Sequence, residues 1–146
     1  MRLDGRCHCG NISFALEWRG DPARIPARAC GCSFCVKHGG VWTSNPGGAL
    51  RVVLRDPAGV SHYAFGTRTA DFLVCRLCGV APVVTSRIAE RLHAVVNVNT
   101  LEGVDPALLR HSPVSFEGED EAARLARRAR HWIGRVEIVE GARPGG

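Results

Sequence analysis

The chain has 146 residues and a mass of 15.7 kDa, the size of one ordinary domain able to bury most of its unfolded surface. With 45% hydrophobic and 23% charged residues it has the composition of a soluble globular protein, and no apolar run approaches the roughly 20 residues of a membrane span. The net charge of +5 is carried almost wholly by arginine, Lys37 being the only lysine, and it favours anionic partners.

The first ten residues, MRLDGRCHCG, contain no apolar stretch resembling a signal peptide, so residence in the cytoplasm is the expectation. Over 11–18 the residues Ile12, Phe14, Leu16 and Trp18 fall at period two, the pattern of a strand with one buried face. The stretch 20–29 carries Gly20, Pro22 and Pro26 and is expected to be an irregular connector, while Gly39, Gly40, Pro46, Gly47 and Gly48 mark loops around a short segment at 41–44. Further strands are expected at 50–55, 61–65, 70–74, 81–85 and 92–98, with Pro82 placing the strand at 81–85 on a sheet edge or a bulge. One segment reads as helix. Over 119–133 the residues Ala122, Leu125, Ala126, Ala129, Trp132 and Ile133 recur at helical spacing, and Glu119, Asp120 and Glu121 open it where the helix dipole favours acids. Gly134 is expected to close the helix, 135–139 to form a last short strand, and the tail 141–146 to fray. The sum is a mainly β protein of antiparallel strands with one C-terminal helix. No repeat or linker divides it, so 1–146 is expected to be a single domain.

All seven cysteines lie in three clusters: Cys7-His8-Cys9-Gly10, Cys30-Gly31-Cys32-Ser33-Phe34-Cys35 and Cys75-Arg76-Leu77-Cys78-Gly79. A reducing cytosol disfavours disulfides, and scattered core cysteines have no reason to recur at spacings of two or three, so the clusters read as zinc ligands. Cys75-x-x-Cys78-Gly79 has the form of a zinc knuckle, and Cys7-x-Cys9-Gly10 offers a matching pair. Cys7, Cys9, Cys75 and Cys78 can therefore close a four-thiolate structural site. The remaining Cys30, Cys32 and Cys35 give three ligands and an open position, the pattern of a catalytic zinc, unless His38 supplies a fourth ligand and closes that site too. Zn²⁺ with three thiolates carries a formal charge of −1, which makes it a poor activator of water and better suited to binding a further thiol.

The order Gly5-x-Cys7-x-Cys9-Gly10, Cys30-x-Cys32-Ser33-x-Cys35, Cys75-x-x-Cys78-Gly79 and Val96-Asn97-Val98-Asn99-Thr100-Leu101 resembles the glutathione-dependent formaldehyde-activating enzyme/centromere protein V family over roughly residues 5 to 110. The resemblance implies a β-tent fold with two zinc ions per chain. It allots Cys7, Cys9, Cys75 and Cys78 to the structural ion and Cys30, Cys32 and Cys35 to the catalytic one, the division that spacing also suggests. The reaction it implies is condensation of formaldehyde with glutathione to S-hydroxymethylglutathione, classed among carbon–sulfur lyases. The sequence departs from the commoner pattern at Val80 and at Val36-Lys37-His38-Gly39-Gly40, and 119–140 has no match in the family core.

Two functions compete. In the first, glutathione or a related small thiol attacks a small aldehyde at the three-cysteine zinc, with Lys37 and His38 as candidates to steer an anion or relay a proton. In the second, both zincs are structural and a basic surface containing Arg124, Arg127, Arg128 and Arg130 meets an acidic partner or nucleic acid. A helix places these arginines opposite Leu125 and Trp132, so they also fit a plain solvated face, and aromatic residues interleaved for stacking on single strands are missing. A redox role for Cys75-x-x-Cys78 lacks a surrounding βαβ pattern, and a nucleobase deaminase lacks its His-x-Glu beside Pro-Cys-x-x-Cys. Trp42, Trp132, Phe65 and Phe72 read as core or pocket wall.

Overall fold

The computed structural model describes residues 1–21 and 24–141. Part of the expected connector and nearly all of the tail expected to fray lie outside the described residues. In chain order the strands and helices are β1 (Arg2–Arg6), β2 (Ile12–Glu17), β3 (Ile25–Cys30), α1 (Ser33–His38), β4 (Val41–Thr43), β5 (Ala49–Leu54), β6 (Val60–Tyr63), β7 (Asp71–Cys75), β8 (Val83–Ile88), β9 (Arg91–Asn97), β10 (Leu101–Glu102), β11 (Leu109–Val114), α2 (Glu121–His131) and β12 (Val136–Glu140). The fold is mainly β, as the patterning indicated. Among the described residues no helix is long and apolar enough to cross a membrane.

The strands form a five-stranded sheet in the order β10-β1-β2-β5-β12 and a seven-stranded sheet in the order β11-β3-β4-β9-β8-β7-β6. Most pairs are antiparallel, but β11 joins β3 and β12 joins β5 in parallel. The period-two stripe of β2 does what its pattern requires. Ile12, Phe14 and Leu16 point inward and meet Leu3, Leu50, Val52 and Leu54 of their sheet and Leu73, Val83 and Val96 of the other. Gly5 is needed in this layer because a Cβ there would fall 2.2 Å from the Phe14 ring.

Neighbouring strands of the seven-stranded sheet alternate faces in register. Leu73, Val83 and Val96 face the five-stranded sheet, while Phe72, Val84 and Val95 face the opposite way into a second cluster with Trp42 and Cys35. Burial on both faces explains the adjacent apolar pairs Val83-Val84 in β8 and Val95-Val96 in β9, where a one-faced strand would alternate. Transfer of such side chains from water contributes about 25 cal/mol per Å² of apolar surface, so both layers stabilise the sheet.

Several sequence expectations are corrected. The stretch expected as an irregular connector contains β3, in which Pro26 is the second residue and lies outside the Arg28–Ala29 segment that pairs with β4. The strand after Pro82 is not an edge: β8 lies between β9 and β7, and Pro82 stands just before it, where its carbonyl accepts from the Asn97 N–H at 2.8 Å. The helix α2 does not end on a left-handed Gly134. Its C-cap is Trp132 in extended conformation, after which Ile133 bridges to Ala94 of β9 and locks the helix end to the sheet.

Candidate functional site

Cys7 and Cys9 lie in the β1–β2 turn, while Cys75 ends β7 and Cys78 lies in the turn that follows it, so one group of thiols joins the two sheets. Both turns place glycine after the second cysteine in left-handed conformation, Gly10 at φ 86° and Gly79 at φ 82°, which a residue with a Cβ adopts only with strain. The four sulfurs lie within 4.8 Å of one another, with Cys7 Sγ to Cys9 Sγ at 3.8 Å and Cys9 Sγ to Cys75 Sγ at 3.5 Å. Metal–sulfur bonds of about 2.3 Å set the corners of a tetrahedron about 3.8 Å apart. The group therefore fits one tetrahedral ion. Burial pushes the Cys7 thiol up to about 12 and raises that of Cys75. At Cys78 burial acts in the same direction, but hydrogen bonds from the backbone of Val80 and Cys9 outweigh it and bring the thiol down to about 6. Four sulfurs this close cannot all ionise unless a cation sits among them.

The second group, Cys30, Cys32 and Cys35, also has its sulfurs within 4.8 Å of one another. Cys30 ends β3. Cys32 is the N-cap of α1, its sulfur accepting from the backbone N–H of Cys35 at 3.4 Å. Cys35 is buried in the helix, and Trp42 Nε1 donates to its sulfur at 3.4 Å. The Cys30 thiol is pulled down to about 5 by its hydrogen bond from Cys35, with Arg127 adding to the effect, and the same contact pushes Cys35 up. The loop after α1 is held by the Asn97-Val98-Asn99-Thr100 motif: Asn99 Nδ2 donates to the Gly39 carbonyl at 3.1 Å, and Thr100 Oγ1 to the Asn97 carbonyl at 2.6 Å.

The second group opens on a cavity of about 700 Å³ on the outer face of the seven-stranded sheet. Trp42, Phe65, Phe72 and Trp132 all line it, as pocket wall. Lys37 and His38 do not. Lys37 is exposed at the end of α1, and the His38 ring stacks on Phe34 with centroids 5.2 Å apart, which draws it to the aromatic cluster; it does not join the three sulfurs as a fourth ligand.

The arginines of α2 overturn the solvated-face expectation. Ala122, Ala126 and Ala129 are exposed, whereas Arg124, Arg127 and Arg128 turn inward and, with Arg28 of β3, line the cavity beside the thiols. Arg130 keeps the exposed position expected of it. Arg128 is only 6% exposed and donates from Nη1 to Thr69 Oγ1 at 2.9 Å and Ser86 Oγ at 3.2 Å. Arg127 makes a two-pronged ion pair with Glu119 and lies 3.5 Å over the Phe116 ring, and its hydrogen bonds hold the Glu119 carboxyl below the usual range. The signal was present in the sequence: Arg124, Arg127, Arg128 and His131 share the same three- and four-residue spacing as an apolar stripe.

The family profile described as glutathione-dependent formaldehyde-activating enzyme matches residues 2–112. Among solved structures, the crystal structure of a Rhodobacter sphaeroides protein is 38% identical, covering 70% of this chain and 91% of that one, with a TM-score of 0.55. No curated protein matches the chain. The helix α2, Glu121–His131, lies beyond the matched residues.

Proposed function

Because the chain belongs to the glutathione-dependent formaldehyde-activating enzyme family, we propose that it is a zinc enzyme joining a small thiol, glutathione or a relative, to a small aldehyde such as formaldehyde. The product is a hydroxymethyl-thiol adduct, and the chemistry is that of a carbon–sulfur lyase. The S–H bond of the thiol breaks, a C–S bond forms at the carbonyl carbon, and the carbonyl oxygen receives the proton. The observation that supports this assignment is that one thiol group is shared between two sheets and the other, with one ligand fewer, lines a cavity of about 700 Å³.

Cys7, Cys9, Cys75 and Cys78 would hold the structural zinc, and Cys30, Cys32 and Cys35 the catalytic one. When bound there, zinc supplies a position that takes sulfur and keeps it anionic, while three thiolate ligands disfavour hydrolysis. The protein's share is placement. Trp42 fixes Cys35 through its indole N–H, and the aromatic wall keeps bulk water from the adduct. Lys37 and His38 lie off the cavity and receive no step. A reducing cytoplasm is the proposed compartment, since all seven cysteines are free thiols, and the whole chain is proposed to act as one zinc-binding unit. A scaffold with a basic face would need the α2 arginines in solvent, and the burial of Arg128 removes its main support.

The test is the rate at which ¹³C-formaldehyde is consumed by glutathione, followed by NMR. Zinc-loaded protein is expected to raise the rate by about tenfold or more over the spontaneous reaction, and metal-stripped protein is expected not to. If no pairing of several thiols with several aldehydes is accelerated, the assignment fails.

A further inference from the structure

The charge around the cavity is unbalanced. Four guanidiniums line it, from Arg28, Arg124, Arg127 and Arg128, while the one carboxylate among the lining residues is that of the exposed Glu117. Glu119 is the half-buried counter-ion, and it is already engaged by Arg127 at 3.0 Å and Arg124 at 3.4 Å. Among the described residues, no carboxylate lies in ion-pair range of Arg28 or Arg128, which bond instead to the neutral hydroxyls of Ser44, Thr69 and Ser86. Among the described residues the Nε of Arg128 is buried without a hydrogen-bond partner, while that of Arg124 faces the Glu119 carboxylate at 3.4 Å. Burial, reinforced by the neighbouring Arg127 and Arg124, lowers the Arg128 guanidinium to about 10. A buried charge held beside like charges is costly unless an opposite charge compensates it, and arginine forks match the two oxygens of a carboxylate.

We propose that Arg28, Arg124, Arg127 and Arg128 form an oxyanion subsite that reads the acidic group of the thiol substrate. The ligand class is a thiol bearing a carboxylate several bonds from its sulfur, with the sulfur toward Cys30, Cys32 and Cys35 and the acid toward α2. The cavity of about 700 Å³ has room for a peptide-sized molecule, far more than formaldehyde needs. Three of the four arginines sit on α2, outside the family-matched residues 2–112, and Arg28 of β3 lies within them. The Trp132 and Ile133 anchors, with Ser44 Oγ donating to the His131 carbonyl at 2.6 Å, hold α2 rigidly enough to present the forks. The proposal rests on the enzymatic assignment only in naming the ligand a thiol.

The binding test titrates the whole zinc-loaded chain with S-methylglutathione, which keeps both carboxylates but has no free thiol, and with its diethyl ester. The free acid is expected to bind about tenfold or more tightly than the ester, to weaken by a similar factor in Arg127→Gln and Arg28→Gln, and to weaken less in Arg128→Lys than in Arg128→Gln. Arg28→Gln and Arg127→Gln decide the matter if the buried Arg128→Gln fails to fold. Inorganic phosphate that competes assigns the subsite to oxyanions at large, and phosphate that does not compete assigns it to carboxylates. Equal affinity for acid and ester, or affinity unchanged in both Arg28→Gln and Arg127→Gln, overturns the subsite. If no thiol is converted but arginine-dependent binding persists, the enzymatic assignment falls and the subsite stands. If glutathione and 2-mercaptoethanol are converted equally well by wild type and by Arg127→Gln, the subsite falls and the enzymatic assignment stands.

Discussion

Cys75→Ser is expected to abolish cooperative folding, or to leave a chain that melts far below the wild type and carries one metal ion fewer. Cys75 ends β7 at 1% exposure, and its sulfur touches that of Cys9, which belongs to the other sheet. The four-thiol group is thus a clip between the β1–β2 turn of one sheet and the end of β7 in the other. Structural zinc contributes on the order of 10–16 kcal/mol to folding in small peptides, comparable to the whole stability of a typical domain. Serine binds zinc poorly and leaves a hydroxyl in a buried apolar setting, so little of that contribution survives. Thermal melting with metal counting checks the result. A melting point within a few degrees of wild type with both ions retained would contradict the clip.

Cys32→Ser is expected to do the reverse, keeping the fold and losing the chemistry. Cys32 caps α1 by accepting from the Cys35 N–H, and serine is among the best residues for that position, so the helix start survives. The three-thiol site, however, drops to two thiolates. Adduct formation with glutathione is expected to fall by about a hundredfold or more while the melting temperature moves by only a few degrees. Activity retained within about threefold would show that Cys32 is a helix cap and no ligand.

The metal-binding pattern was the most legible part of the chain, because ligand chemistry demands particular residues at short spacings and the three cysteine clusters supply them. Strand β2 was equally plain, its alternation being a direct consequence of one buried face. Strands β3 and β11 were not, since Pro26 and Pro113 mimic loop composition and each strand finds its partner across more than 80 residues of sequence, as the pairing of Ile25 with Leu109 shows. The helix α1 is six residues long and organised by Cys32 and Cys35 rather than by an apolar stripe, so no periodicity announced it. The buried face of α2 was the least legible feature. Ala122, Ala126 and Ala129 repeat as a buried face would, but a methyl group gains little from burial, whereas arginine stems cover apolar surface and the Arg128 head reaches hydroxyls at Thr69 and Ser86. Only the tertiary position of β7 and β8 decides which face turns inward.

The most direct test of an open thiol-binding centre is a native mass spectrum of the metal-replete chain with and without glutathione. Two zinc ions per chain, plus one glutathione that is lost in Cys35→Ser, is the predicted result. Two zinc ions with no adduct to glutathione or any other small thiol would contradict it.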